Sequence, residues 1–306
     1  MKNKNLPQGF IPVMLTPFHL NGAVDYQKLA ELTDQYIQWG ATGLFANCLS
    51  SEMFELNQQE RLEVIQTVVK TSNGRVPVVA TGTFGDTIEE MAEFSNLVWK
   101  LGVDAVIILN NLIVKESDSD EIFLKKLKHW MDLTPNVQFG FYECPVPYKR
   151  LISNHVLKTL LPSGRFIYHK DTSLSLSKIK EKVKESDGFY LGIYDAYMVN
   201  ALNSLKAGVN GLSCIQGNYF PELVVWLCKH FDSLKHASLA EEIQQFFIDS
   251  MDIVHQAYPI AAKYVLYKRG FQINQYTRRE VGELTESQML QLDHMIIRGE
   301  ELISKL

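Results

Sequence analysis

Residues 137–170 read VQFGFYECPVPYKRLISNHVLKTLLPSGRFIYHK. Two short runs rich in aromatic and β-branched residues, 137–142 and 166–170, flank a loop and an amphipathic pattern over about 153–161. Runs that short are strands rather than helices. A strand followed by a helix and another strand requires a crossover, so the two strands pair in parallel.

The same unit recurs on both sides of this stretch. Upstream stand IPVML (11–15), GLFAN (43–47), VPVVATG (76–82) and DAVIIL (104–109); downstream stand FYLGI (189–193) and NGLSC (210–214). Between and after the runs lie helical patterns at about 25–39, 57–71, 87–101, 118–131, 153–161, 175–185, 195–207 and 221–231. Apolar residues there recur at i, i+3 and i+4, as in Leu62, Ile65, Val68 and Val69. Gly40 and Gly102 fall where helices one and three should stop, as left-handed caps do. Eight strands alternating with eight helices predict a (β/α)8 barrel, the α/β fold known as the TIM barrel, over 1–231. A doubly wound open sheet is the alternative, weakened by the lack of a Gly-x-Gly-x-x-Gly turn. The remaining residues, 232–306, predict a C-terminal helical extension over 238–257, 260–269 and 285–304, packed outside the barrel or against another subunit.

Composition narrows the function. A formal charge of −5 over 306 residues argues against nucleic acid, because no basic stripe could neutralise phosphates. The lysine runs at 125–128 and 178–184 read as solvated helix faces. Cys48, Cys144, Cys214 and Cys228 are widely spaced, without a Cys-x-x-Cys pair, as buried free thiols of a reducing compartment are. No apolar run reaches membrane-spanning length and no leader is evident, so a cytoplasmic protein is expected. No His-x-x-x-His or His-Glu-x-x-His pair occurs, and no metal site or cofactor is expected.

In such a barrel the working groups stand at the C-terminal ends of strands. Lys170 ends 166–170 and would project into an apolar mouth, where desolvation lowers its pKa and makes the amine a nucleophile. The competing reading pairs it with Asp171 or another carboxylate. Tyr142 ends the preceding strand, either as a proton carrier beside Lys170 or as a core aromatic. His169 should point away from the axis if Lys170 points in. Glu143 is expected to face solvent, and Lys149 and Arg150 to be exposed loop charges.

At this point the chain resembles the dihydrodipicolinate synthase and N-acetylneuraminate lyase family of Schiff-base (class I) aldolases. Leu15-Thr16-Pro17-Phe18, Gly22, Asp25, Glu52, Leu56, Glu60-Arg61, Val76-Pro77-Val78, Gly82, Tyr142, Pro145, Lys170-Asp171-Thr172-Ser173, Gly208, Gly211, Asn218, Pro221, Lys263, Gly270 and Arg278 carry the resemblance in order. It implies that Lys170 forms the Schiff base and Tyr142 is the acid/base. It also implies a small-molecule 2-oxo acid substrate and a homo-oligomer, tetramer or dimer.

Several positions depart from the family. Its carboxylate-holding loop, Gly-Thr-Thr-Gly-Glu, reads Cys48-Leu49-Ser50-Ser51-Glu52 here, leaving backbone N–H groups and hydroxyls as donors. Pro147 stands where the synthases keep an arginine. Leu112 and Ile113 replace their paired tyrosines. These losses speak against dihydrodipicolinate synthesis. Tyr194-Asp195 matches a pair with which the lyases bind sugar hydroxyls, although Asp195 can equally cap the helix at 195–207. The sequence thus predicts a carbon–carbon or carbon–oxygen lyase whose pocket is lined by Leu49, Ser50, Ser51, Tyr194, Asp195, Ser213 and Cys214. The implied substrate is a 2-oxo acid of the 2-keto-3-deoxy sugar acid or sialic-acid kind. A barrel altered into a small-molecule binding or regulatory protein is the competing reading.

Overall fold

A computed structural model describes residues 6–306. Eight strands form one sheet: β1 Gly9–Phe10, β2 Leu44–Ala46, β3 Val78–Thr81, β4 Ala105–Leu109, β5 Phe139–Tyr142, β6 Phe166–Asp171, β7 Gly192–Asp195 and β8 Gly211–Leu212. Each pairs in parallel with its neighbours, in the order β1-β8-β7-β6-β5-β4-β3-β2. A parallel bridge between Val13 and Phe45 joins the two edges and closes the barrel, so the open doubly wound sheet is excluded.

The helices around it are α1 Tyr26–Gln38, α2 Gln58–Ser72, α3 Ile88–Lys100, α4 Asn110–Ile113, α5 Asp120–Leu133, α6 Asn154–Leu160, α7 Leu176–Glu185, α8 Ala201–Lys206 and α9 Pro221–His230. The extension adds α10 Ala237–Asp249, α11 Met251–His255, α12 Ile260–Lys268 and α13 Glu286–Ile303. Side chains that cap N-termini, from Asp25, Asn57, Thr87 and Thr285, accept backbone N–H bonds and fix where helices begin. Gly40 and Gly102 take φ of 96° and 97°, the left-handed caps expected of them. None of the described helices is long and apolar enough to cross a membrane.

Three boundaries differ from the sequence reading. The first strand forms at Gly9–Phe10, not 11–15, and only Val13 of the expected run makes a bridge. The seventh strand runs on to Asp195, so the following helix does not start there; a 3-10 turn at Met198–Asn200 leads into α8. The expected helix at 238–257 breaks at Ser250 into α10 and α11.

Alternation along the strands sorts side chains into two cores. Inside the barrel lie Ile11, Val13, Phe45, Val79, Ile107, Tyr142, Tyr168 and Tyr194. Between sheet and helices lie Phe139, Phe141, Phe166, Ile193 and the apolar faces of the helices. That sorting decides which strand-end residues can meet a substrate.

Candidate active site

Tyr142 and Lys170 are register partners on β5 and β6. Both belong to the inward set, and the Lys170 Nζ stands 4.3 Å from the centre of the Tyr142 ring. Lys170 is 4% exposed. Burial pulls its pKa down, and no carboxylate offsets this: the other groups acting on it are the thiols of Cys48, Cys144 and Cys214. An amine so placed is closer to its neutral, nucleophilic form than an ordinary lysine is. Burial likewise pushes the Tyr142 phenol well up, with the Cys144 and Cys48 thiols adding to it. The phenol is therefore a proton donor at rest, able to pass one proton on as it takes another.

Above this pair opens a cavity of about 400 Å³. Leu49 and Ser50, from the 3-10 turn after β2, line it. Thr172 and Leu174 follow β6 on another side, and Ile215 and Gln216 follow β8. Met251, His255, Tyr258 and Arg279 come from the extension, which therefore covers the mouth and does not only pack outside. Arg279 donates from Nη2 to the Leu49 carbonyl (2.8 Å), and the Tyr258 hydroxyl accepts from Asn218 (2.6 Å) while lying beside Ser50.

The loop carrying Ser50 is tied down by Glu52, which takes a left-handed conformation (φ 58°) and is fully buried. Its carboxylate accepts from Lys263 Nζ (2.8 Å), Thr277 Oγ1 (2.6 Å) and the Arg278 backbone N–H (2.7 Å). Two stretches of the extension, at 263 and at 277–278, thus converge on one side chain.

Of the residues expected in the pocket, Leu49, Ser50, Tyr142 and Lys170 line the cavity. The others are placed elsewhere. Ser51 Oγ bonds the Met14 carbonyl (2.7 Å) beneath the loop. Tyr194 points inward but down: it stacks on Tyr168 at 5.1 Å and donates to the Pro7 carbonyl (2.6 Å), plugging the bottom of the barrel. Ser213 bonds Ile11 and Tyr168 in the same interior layer. Cys214 is buried, close enough for its thiol to act on Lys170, yet it does not line the cavity. Asp195 is on the outward face of β7, one step from inward Tyr194; its Oδ1 accepts from the Tyr197 N–H (2.8 Å). It is neither a helix cap nor a pocket wall.

Behind the strands sits a group that the sequence reading missed. Lys182, taken there as part of a solvated face, is 2% exposed, and Glu143, expected to face solvent, is 0% exposed. Lys182 Nζ lies 2.5 Å from Glu143 Oε1, 2.6 Å from Asp171 Oδ2 and 3.3 Å from His169 Nε2. Glu143, His169 and Asp171 form a donor set of the kind that holds a cation, and the ammonium supplies the positive charge there. Burial alone would raise Asp171, but His169 and Lys182 outweigh it and hold its carboxyl low. Burial would lower Lys182, but Glu143 and Asp171 outweigh it and hold it high. Glu143 also accepts from the backbone N–H groups of Ile152 (2.9 Å) and Thr172 (3.0 Å), fixing the ends of β5 and β6 where Tyr142 and Lys170 stand. Arg150 proves half-buried, paired with Asp120 at 2.7 Å, and exposed Lys149 donates to the Thr172 carbonyl (2.9 Å) at the cavity rim.

The sequence profile of the dihydrodipicolinate synthetase family matches residues 6–298. A 4-hydroxy-tetrahydrodipicolinate synthase of Marinobacter nauticus is 24% identical over 262 residues, covering 86% of this chain and 88% of its own. One of Psychrobacter arcticus is 25% identical over 301 residues, covering 95% of each. Among solved structures, YagE of Escherichia coli K12, a prophage protein of the dihydrodipicolinic acid synthase family in complex with pyruvate, superposes with a TM-score of 0.85 at 22% identity, over 96% of this chain and 98% of that one. That last likeness is one of fold.

Proposed function

The chain belongs to the dihydrodipicolinate synthetase family, and on that premise we propose that it is a Schiff-base lyase acting on a 2-oxo acid. One observation carries the reading: a buried lysine without a carboxylate partner, beside a buried phenol, at the floor of a cavity. The family's members are class I aldolase-type lyases, and the pyruvate held by YagE supports a 2-oxo acid head.

The chemistry follows from those two side chains. The Lys170 amine adds to the C2 carbonyl, and the carbinolamine hydroxyl takes the Tyr142 phenol proton and leaves as water, so the iminium forms beside a phenolate. When the C3–C4 bond of a 4-hydroxy-2-oxo acid breaks, its electron pair enters the iminium to give an enamine. The C4 hydroxyl loses its proton to Tyr142 and departs as an aldehyde. Protonation at C3 and hydrolysis then release pyruvate and restore the lysine. The head carboxylate would rest against Ser50 and the backbone N–H groups of the 48–52 loop, since Leu49 offers no side-chain donor.

The sugar-acid expectation rested on Tyr194-Asp195, and neither lines the cavity; the proposal is therefore confined to the 2-oxo acid head. Dihydrodipicolinate synthesis is not proposed, because Leu112, Ile113 and Pro147 replace the groups it would use. A synthase assay with pyruvate and aspartate semialdehyde tests that exclusion, product formation being the contrary result. The four free cysteines suit the cytoplasm, and a homo-oligomer is part of the proposal, to be read by sedimentation.

Borohydride trapping tests the central claim. Pyruvate and longer 2-oxo acids are incubated separately with the protein, reduced, and the peptides weighed. A reduced adduct is expected on Lys170 and none in Lys170→Ala. Folded protein that traps no oxo acid would refute Schiff-base chemistry. A stable pyruvate adduct without aldol turnover would favour the binding-protein reading.

A further inference from the structure

The floor of the cavity is reactive, and its walls are greasy. Leu49, Leu174, Met198, Ile215 and Met251 all line it. Most polar groups among them already have protein partners: Lys149 is bonded to Thr172, Arg279 to Leu49, and Tyr258 to Asn218. Among those without one is Gln216. It is 2% exposed, lines the cavity, and its Oε1 has no hydrogen-bond partner among the described residues.

We infer that the substrate is a 4-hydroxy-2-oxo acid with an apolar tail, aryl or branched alkyl, and that Leu174 helps select it. The inference rests on the Schiff-base reading of Lys170 given above and names the substrate class of that same site.

A simple aldol carries one tail hydroxyl, at C4, beside the reacting pair. A polyhydroxylated tail would bring several more, and each hydroxyl buried here without a partner lowers affinity about tenfold. The residues that might have met such hydroxyls are turned away: Tyr194 bonds Pro7 at the barrel bottom, and Asp195 faces the helix layer. Leu174 supplies an independent sign. It holds φ at +60° and is 50% exposed at the cavity mouth. A leucine in that left-handed backbone is disfavoured about tenfold, whereas glycine adopts it freely. Neither fold nor burial needs the side chain, so its contact with the cavity is what it contributes.

The test compares retro-aldol kcat/KM, by coupled detection of pyruvate, for three acids of similar size. These are 4-hydroxy-2-oxo-4-phenylbutanoate, its branched-alkyl counterpart, and a 2-keto-3-deoxy sugar acid. Both apolar acids are expected to exceed the sugar acid by about tenfold or more. In Leu174→Gly the thermal midpoint should rise while that preference shrinks several-fold. Equal or better cleavage of the sugar acid, in protein that traps pyruvate on Lys170, would overturn the inference. An unchanged preference in a stabilised Leu174→Gly would overturn the selecting role of Leu174. Failure of every oxo acid to trap would instead sink the Schiff-base reading, and this one with it.

Discussion

Two buried side chains, Tyr142 and Asp195, show how much a single residue's environment decides. With its pKa raised by burial, Tyr142 serves as a carrier of protons and not as a standing base. Tyr142→Phe is expected to lower turnover by about 10²–10⁴-fold while pyruvate still traps on Lys170; steady-state rates and trapping on one preparation check both. Asp195 sits where burial pushes its carboxyl up to about 7, against about 3.9 when unfolded. Between those values the unfolded chain releases the proton and the folded chain keeps it, so stability falls as pH rises through the window. Asp195→Asn cannot ionise. Its stability relative to the native chain should climb from about pH 4 to pH 7 and then level off, as followed by urea titration. A difference that is flat with pH would show that the carboxyl titrates at its ordinary value. Strand-end position made Lys170 and Tyr142 candidates, and the family resemblance singled them out among the alternatives. The place of Asp195 was not legible, because a shift of one residue along β7 separates the cavity from the helix layer.

At the scale of elements, the lysine-centred cluster binds α7 to the ends of β5 and β6. Within it Lys182 faces both Glu143 and Asp171. Lys182→Met leaves two carboxylates buried without their counter-charge, a loss expected to cost about 3–5 kcal/mol, measurable as a lower urea midpoint. Trapping should slow as well, since Glu143 fixes the backbone that carries Thr172. Full stability together with native trapping would show the cluster to be dispensable. Periodicity placed α7 and its lysines on a helix, but it could not tell a solvated lysine from one reaching inward. The partners lie 39 and 11 residues away, one just past the end of β5 and one on β6.

Across the whole molecule, the extension completes the site. Glu52 joins the β2 loop to Lys263 and to 277–279, and Arg279 returns to Leu49. Helix α13 approaches so closely that a Cβ on Gly299 would come within 2.2 Å of the Phe220 ring. Two effects of Gly299→Ala oppose each other. Helix propensity favours alanine by about 1 kcal/mol, while overpacking of a filled contact costs about 1–3 kcal/mol. A 2.2 Å approach to an aromatic ring puts the cost at the upper end, so net destabilisation is expected. Calorimetry checks the sign; a stabilised variant would mean that α13 sits loosely on the barrel.

The sequence alone determined the (β/α)8 barrel, its helical extension and the pairing of Tyr142 with Lys170. Alternating periods of two and 3.6 admit few closed arrangements, and neighbouring strand ends must stand together. Only the tertiary structure decided which neighbours face the cavity and which lie behind it. It also decided that Lys182 replaces solvent with carboxylates, and that Met251, Tyr258 and Arg279 come to cover a pocket built by residues far upstream. Those outcomes depend on strand register and on contacts between distant segments, and a local pattern of residues carries neither.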